Sequence, residues 1–261
     1  MPTFVEAAIN YVDAASPGGA VHGAESAYVA ASRDTRTVRI HDARAAGHAF
    51  SLERNGFRMV RCPVDVDFAD PRQIAGRYRP RMRALVRALT GASRTLLFGE
   101  MIRREGRPDG YEPAFDVHLD FDEASVRTVI RAVHPEPERL LAKRLALINL
   151  WRPILPVERS PLAVCDASTV SISDLRAGLI GGGSAEPVDA PLSGYTVIHN
   201  PAHRWWFYPD MQPDEVLVFK LVDSDPEAVQ FTAHAAFDHP GSAPDAAPRQ
   251  SIETRIIAFF D

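Results

Sequence analysis

Short segments in which apolar and polar residues alternate fill the chain after Gly91. Clusters of Gly, Pro and Asp separate them, a pattern typical of domains built from many short strands. The segments predicted as strands are RTLLFGEMIR, AFDVHLDF, ALINLWRPI, LAVCDAS, YTVIHN, RWWFYP, EVLVFKLV, VQFTAHAAF and SIETRIIAFF. Helical patterns occupy residues 71 to 90, closed by Gly91, and part of residues 123 to 145. The chain is therefore predicted to be mainly β with flanking helices (α+β), as an antiparallel barrel or jelly roll.

The length of 261 residues suits one domain with a sizeable core or two small ones. We predict a single domain over residues 1–261, with a helical or mixed N-terminal region to about residue 92 and a β core from about residue 93. A segment rich in Gly, Ser and Pro, residues 178 to 194, lacks the Lys-Ser/Thr pair of a P-loop. We interpret it as a surface loop.

Charge and composition exclude several classes of protein. A net charge of −5 and a pI near 6.0 lack the basic footprint of nucleic-acid binders. The sequence has neither a signal-peptide pattern nor 18 uninterrupted apolar residues, so we expect no membrane association. Cys62 and Cys165 form no disulfide framework, which favours a reducing, cytoplasmic setting. The sequence is compatible with a homodimer but does not determine the oligomeric state.

Two of the predicted strands carry candidate metal ligands on their polar faces. From Phe115 to Asp122 the odd positions are apolar and the even positions polar, so His118 and Asp120 share one face, two residues apart. From residue 229 to 237 the same alternation places His234 among the polar positions. Side chains on one face at this spacing can bind one ion.

Two imidazoles and one carboxylate form the facial triad that suits iron(II) and leaves coordination positions open for substrates. His118, Asp120 and His234 are the candidate metal and catalytic residues. A second His-x-acid motif, His134-Pro-Glu136, lies in a Pro-rich turn without strand alternation, and we reject it.

A third predicted strand adds cations. Alternation in PRQSIETR places Arg249, Ser251, Glu253 and Arg255 on one face. Guanidinium groups bind carboxylates through two parallel hydrogen bonds, so two such arginines suit a dicarboxylate cosubstrate. The alternative for one of the two is a surface arginine paired with Glu253.

The order His-x-Asp, distal His, then Arg-x-Ser-x-x-x-Arg resembles the iron(II)/2-oxoglutarate oxygenases of the double-stranded β-helix (jelly-roll, cupin-like) fold. Further motifs resemble one branch, the fungal natural-product hydroxylase/desaturases and the cephalosporin 7α-methoxylase component. The resemblance covers roughly residues 98 to 261, in the motifs NLWRP, PLAVCD, WFYPD, DEV, HAAF and PRQSIETR.

The resemblance implies iron(II), 2-oxoglutarate and O2 as cofactor and cosubstrates. Arg249 or Arg255, with Ser251, would bind the distal carboxylate of 2-oxoglutarate. A ferryl species would then abstract hydrogen from an unactivated C–H bond of a small amino-acid-derived or secondary-metabolite substrate. The outcome would be hydroxylation, desaturation or oxidative cyclisation.

Substrate-binding candidates come from two aromatic and basic segments. Asn149, Trp151 and Arg152 lie on one predicted strand, and Arg204 and Trp206 lie on another. Their mixture of hydrogen-bonding, charged and aromatic groups suits an acidic or amino-acid-like molecule, while core packing and a structural salt bridge are the alternatives.

Two other functions remain to be weighed. One is a non-catalytic auxiliary subunit of a two-component biosynthetic oxygenase, which would have no need of a complete His118, Asp120 and His234 set. The other is a cupin-like metalloenzyme that does not use 2-oxoglutarate, against which the two arginines argue.

Overall fold

A computed structural model describes residues 3–16, 19–22, 33–107, 111–180 and 192–261. Most of the segment interpreted above as a surface loop, residues 181–191, lies outside these described residues.

Strands dominate the described residues. Their bounds are β1 (Phe4–Val12), β2 (Gly19–His22), β3 (Arg33–Asp42), β4 (Phe57–Arg61), β5 (Arg94–Arg104), β6 (His118–Leu119), β7 (Leu145–Pro153), β8 (Leu162–Cys165), β9 (Leu175–Ile180), β10 (Leu192–Val197), β11 (Trp205–Phe207), β12 (Glu215–Asp223), β13 (His234–Ala236) and β14 (Gln250–Phe259). Helices α1 (Arg79–Thr90), α2 (Glu123–Val133) and α3 (Pro137–Leu141) accompany the strands. Short helical turns occur at Pro71–Gln73, Ile74–Tyr78, Ala167–Thr169 and Ile172–Asp174.

The strands form two sheets that face each other. The larger sheet has the order β1-β3-β11-β8-β13-β6-β10-β9-β2, and the smaller has the order β4-β12-β7-β14-β5. Pairing is antiparallel except between β11 and β3 and between β2 and β9. Apart from the pairs β1-β3 and β9-β10, neighbouring strands are far apart in sequence, as in jelly rolls. The predicted fold class is confirmed.

The space between the sheets holds one apolar cluster, which includes Phe121, Trp151, Val164 and Phe219. A second cluster lies on the outer face of the smaller sheet, where α1 packs Met82 and other side chains against it. Gly91 ends α1 with a φ of 72°, a left-handed conformation that favours glycine. The helix predicted at residues 71 to 90 is therefore present, with Pro80 in the first turn of α1.

Strands that precede residue 93 join both sheets. β1 pairs with β3 and β3 with β11 in the larger sheet, while β4 pairs with β12 in the smaller. The region about 1–92 is thus continuous with the β core through hydrogen bonds. The single-domain division remains a prediction.

Two predicted strands are much shorter than the alternation indicated. Only His118–Leu119 and His234–Ala236 have strand geometry. The carbonyl oxygens of Asp116 and Thr232 accept hydrogen bonds from the imidazoles of His118 and His234. Because these two carbonyls bond to imidazoles, each regular strand begins only after the residue that carries the carbonyl.

Candidate metal centre

Three side chains meet on the inner face of the larger sheet. His118 on β6 and His234 on β13 are direct cross-strand partners, and Asp120 follows β6 by one residue. One ligand atom from each of the three lies within 4.8 Å of the other two. All three residues are at least 96% buried, with exposed fractions of 3%, 1% and 4%. The sequence-predicted set is thus brought together.

Backbone carbonyls fix the orientation of both imidazoles. The Nδ1 atom of His118 lies 2.7 Å from the carbonyl oxygen of Asp116, and Nδ1 of His234 lies 3.1 Å from that of Thr232. A carbonyl only accepts, so each Nδ1 carries the proton and donates it. The lone pair is therefore on Nε2, the atom that each ring turns towards the other ligands.

Burial keeps the His118 imidazole in the neutral form that metals bind. Its pKa is lowered from 6.5 to about 3, first by desolvation and next by the neighbouring His234, whose effect exceeds the opposing one of Asp120. The ring therefore carries no proton on Nε2 at neutral pH, and a metal has no proton to displace there.

A row of alternating buried charges begins at Asp120. Arg255 Nε donates to Asp120 Oδ2 at 3.1 Å, and Arg255 Nη2 donates to Glu253 Oε2 at 3.0 Å. Arg103 Nε donates to the other Glu253 oxygen at 2.6 Å. We call Asp120, Arg255, Glu253 and Arg103 the charge chain. It supplies a fixed partner for one carboxylate oxygen of Asp120 while Oδ1 faces His118 Nε2 at 3.5 Å.

The two arginines hold Glu253 ionised inside the barrel. Burial alone raises the pKa of this carboxyl, but the charges of Arg103 and Arg255 outweigh it and bring the pKa from 4.5 to about 2. Because Arg255 has Asp120 and Glu253 as partners, it is not a surface arginine, although it does pair with Glu253.

Arg249 lies in a different environment from Arg255. It is 98% buried, and its Nη1 donates to the carbonyl oxygen of Ser160 at 2.6 Å. Within the part of the chain that the structure describes, its guanidinium forms no ion pair, and Nε has no hydrogen-bond partner. Burial, followed by the charge of Arg103, lowers its pKa to about 10. A buried cation in this state suits an anionic ligand.

Other polar atoms without partners lie on the same wall of the barrel. In the described residues these buried atoms include Ser251 Oγ, Trp151 Nε1 and both amide atoms of Asn149. Antiparallel pairing of β7 with β14 places Trp151 opposite Glu253 and Asn149 opposite Arg255, so these side chains share the inner face. We call Asn149, Trp151, Arg249 and Ser251 the polar wall.

The structure corrects the expectation for Arg152. This residue pairs with Ile252, one position out of phase with Asn149 and Trp151, and so projects from the outer face of the smaller sheet. Its Nη1 and Nη2 donate to the carbonyl oxygens of Pro213 and Cys62 at 2.5 and 2.6 Å. The guanidinium lies over Tyr78 and ties loops to the sheet, away from the triad.

The other substrate-binding candidates separate from each other. The side chain of Arg204 is 58% exposed and lies 3.6 Å from Asp166, at the surface. Trp206, by contrast, belongs to the inner row of the larger sheet: it pairs with Val164, which pairs with His234. Its ring contacts Phe50, with centroids 4.9 Å apart. Only Trp206 of this pair lies on the side of the metal ligands.

Sequence reasoning did not identify Gly194 as part of the site. A Cβ atom at this position on β10 would lie under 3.0 Å from the carbonyl oxygens of Leu119 and Asp120. A side chain here would therefore displace the backbone that carries Asp120, one of the candidate metal ligands. The sequence offered no signal for this, because the close approach depends on how β10 and β6 pair.

Arg103 and Glu253 were also not identified as site residues. Glu253 was visible on the same strand face as the arginines, but its burial was not. Arg103 lies on a strand about 150 positions earlier in the sequence, and only the pairing of β5 with β14 brings it to Glu253.

Comparisons with known proteins agree with this geometry. Residues 8–259 match the family described as "Oxidoreductase/YMDC permease-like domain". The Fe(II)/2-oxoglutarate-dependent dioxygenase nvfI of Aspergillus novofumigatus is 30% identical over 85% of this chain and 82% of its own length. The hydroxylase/desaturase efuI of Hormonema carpetanum is 29% identical over 87% of this chain and 85% of its own.

A solved structure of the iron and alpha-ketoglutarate-dependent endoperoxidase NvfI superposes with a TM-score of 0.85 at 26% identity, covering 99% of this chain and 98% of the other. In the described residues of this chain, none of the helices has the length and apolar character needed to cross a membrane. The donor set also fits: two imidazole nitrogens and a carboxylate oxygen suit iron(II), and the polar wall offers a cation to a dicarboxylate.

Proposed function

This chain belongs to the family of hydroxylase/desaturases and Fe(II)/2-oxoglutarate-dependent dioxygenases, and we propose that it hydroxylates, desaturates or cyclises a small secondary-metabolite or amino-acid-derived substrate. Iron(II), 2-oxoglutarate and O2 are its cofactor and cosubstrates. The substrate is a small molecule, and the choice among the three outcomes depends on how its target C–H bond is held.

In this proposal His118, Asp120 and His234 hold the iron. Bound iron and 2-oxoglutarate supply the oxidising chemistry together with O2. The protein's own contribution is geometry: carbonyl-bound imidazoles present Nε2, and Arg255 fixes Asp120 through one oxygen. Because all three ligands are buried, the apolar cluster around them also excludes bulk water.

Arg249 is the proposed anchor for the distal carboxylate of 2-oxoglutarate, with Ser251 as a second donor. The support is the contrast between the two arginines. Arg255 already has two carboxylate partners, whereas the guanidinium of Arg249 has only a carbonyl oxygen among the described residues. An incoming dianion gains most from the cation that lacks a negative partner. Arg255 is therefore proposed as a positioning residue for Asp120.

The observation that carries the proposal is the coincidence of two features in one buried space. Three ligand atoms lie within 4.8 Å of one another, and the buried guanidinium of Arg249, just before β14 of the facing sheet, has no ion pair among the described residues. An auxiliary subunit without activity needs neither feature, and a metalloenzyme that uses no keto acid needs only the first.

Anaerobic titration with iron(II) and 2-oxoglutarate tests the proposal. We expect the weak visible charge-transfer band of an iron–keto-acid chelate in the wild-type protein and its loss in the variant His234→Ala. His134→Ala is the matched control, because His134 belongs to the rejected His-Pro-Glu motif, where its Nδ1 accepts from the Glu136 amide. The proposal would be contradicted by a wild-type protein that shows no band or by a His234→Ala variant that keeps the band.

A further inference from the structure

Positive charge is concentrated in one segment of this acidic chain. Residues 71–99 contain seven arginines and no aspartate or glutamate, whereas the whole chain has a net charge of −5. Of the seven, only Arg79 forms an ion pair among the described residues, with Glu100 at 2.5 Å. Uncompensated like charges repel one another and destabilise a fold. A solvated helix face that is stabilised by its own charges carries both signs, and this segment does not.

Three of these arginines border one cavity outside the barrel, which we call the arginine cavity. It has a volume of about 530 Å³ and lies between α1 and the start of β5. The polar residues that line it are Arg83, Arg87, Arg94, Ser93 and Thr95. Sites for small molecules typically measure ~300–1,000 Å³, so the cavity is large enough for such a ligand. No carboxylate of the described residues lines it.

The local structure holds one of the three guanidinium groups in place without neutralising it. Arg83 Nε donates to the Thr95 hydroxyl at 3.2 Å, and Nη2 donates to the Thr95 carbonyl oxygen. Both acceptors are uncharged, so the positive charge of Arg83 is retained. Because the side chain is already ordered, a ligand that binds it has less conformational entropy to remove.

Roles within the fold account for only part of the cluster. Arg87 lies in the last turn of α1, where a cation interacts favourably with the helix dipole. Arg83 lies one turn earlier, and Arg94 is the first residue of β5, so the dipole explains neither. The carboxylate of Asp261 reaches Arg94 electrostatically but is itself bonded to Lys143.

The chemistry of the lining favours phosphate groups. Guanidinium binds phosphate oxygens through two parallel hydrogen bonds, and three guanidinium groups in one cavity suit a ligand with several negative charges. A membrane surface fits less well, because large apolar side chains that could anchor it are not exposed in residues 71–99. A long nucleic acid would also meet the acidic remainder of the chain.

We propose that the arginine cavity binds a soluble molecule with two or more phosphate groups, such as the diphosphate of a nucleotide. The cavity is separate from the metal centre, because α1 packs on the outer face of the smaller sheet and the triad lies inside the barrel. This binding function therefore does not depend on the proposed reaction.

Calorimetric titration of the full chain with inorganic pyrophosphate, without added metal, tests the proposal. We expect one equivalent to bind, with an affinity that falls as salt is added. Arg83→Gln and Arg87→Gln should each weaken binding about tenfold. Arg54→Gln is the matched control, since Arg54 is exposed and also donates to a carbonyl oxygen, that of Ala49 at 3.1 Å.

The proposal would be overturned if pyrophosphate does not saturate the wild type, or if both cavity variants bind it as tightly as Arg54→Gln does. Should a variant in α1 fail to fold, Arg94→Gln on β5 is titrated instead, and unchanged affinity there has the same meaning. Inorganic phosphate should bind more weakly than pyrophosphate. Equal affinity for the two anions would contradict a site for two phosphate groups.

Two further measurements locate the ligand and its source. Arg249→Met should keep the pyrophosphate affinity of the wild type, and a loss would place the anion in the barrel and overturn the proposal. Vesicles of phosphatidylcholine with phosphatidylglycerol should not sediment the protein. If they do while pyrophosphate does not bind, the arginines serve a lipid surface and the proposal is wrong. Because no iron is added, a failed iron titration would leave these results unaffected.

Discussion

The charge chain and the polar wall lie side by side in the barrel, yet they differ in how fully the protein satisfies them. In the charge chain, every carboxylate oxygen of Glu253 has a guanidinium partner, and Arg255 bridges two carboxylates. In the polar wall, Arg249, Ser251, Asn149 and Trp151 each have at least one buried polar atom without a partner among the described residues.

This contrast distinguishes buried polar residues that orient the site from equally buried polar residues that bind a ligand. Burial and charge alone would place Arg249 and Arg255 in one class, since they are 2% and 1% exposed. A residue whose buried polar atoms all have hydrogen-bond partners is expected to orient the site. A residue with buried polar atoms that have no partner is expected to bind a ligand. Variants that remove members of the two groups should therefore have opposite effects on stability and on ligand affinity.

The largest expected effect is on the charge chain. Arg255→Met removes the guanidinium between Asp120 and Glu253 and leaves two buried carboxylates without its charge. We expect the free energy of unfolding to fall by about 3–5 kcal/mol, measured by urea denaturation. A variant as stable as the wild type would contradict the distinction between the two groups.

Arg249→Met is the counterpart on the polar wall. We expect the dissociation constant for 2-oxoglutarate to rise roughly ten- to a hundredfold, corresponding to about 1.5–3 kcal/mol. Because Arg249 has no ion pair among the described residues, the free energy of unfolding should change by about 1 kcal/mol or less. Unchanged affinity in the charge-transfer titration, or a stability loss as large as that of Arg255→Met, would erase the contrast.

Gly194→Ala tests whether backbone packing between β10 and β6, in addition to the charge of Arg255, holds Asp120 in position. The added methyl would clash with the carbonyl oxygens of Leu119 and Asp120, so we expect a loss of about 1–3 kcal/mol in unfolding free energy and weaker iron binding. The control is Gly47→Ala, where a Cβ has no atom within 4 Å. Equal iron affinity in both variants would show that β10 does not position the ligand.

The smallest effect is a pH dependence that belongs to the charge chain. The pKa of Glu253 is lower in the folded protein than its ordinary value of 4.5, so its ionisation stabilises the fold above that pH. The contribution is lost as the pH falls from 4.5 towards about 2. Between pH 5 and 3, a range set around that ordinary pKa, the unfolding free energy should fall more steeply in the wild type than in Glu253→Gln, by up to about 1.4 kcal/mol per pH unit, the slope that one proton gives. Parallel slopes would show that Glu253 is not held ionised.

Alternation along single strands was sufficient to predict which face carries the candidate metal ligands, which the structure brings together, and which strand carries the arginines. His118 and Asp120 are two residues apart, and the period of a strand places them on one face whatever the remaining fold does. The same reasoning failed for Arg152, which was grouped with Asn149 and Trp151 although it is out of phase with both. The two-residue period of a strand holds for all three residues, but grouping Arg152 with Asn149 and Trp151 did not apply it.

Local periodicity and the chemistry of each side chain were thus enough to predict the fold class, the types of the candidate ligands and the strand faces on which they lie. Three features are visible only in the folded protein: the pairing of Arg255 with carboxylates, the completion of the charge chain by Glu253 and Arg103, and the close approach of two backbones at Gly194. Each of these depends on contacts between strands about 75 to 150 residues apart in sequence. Strand register and burial set such contacts, and no single segment encodes them.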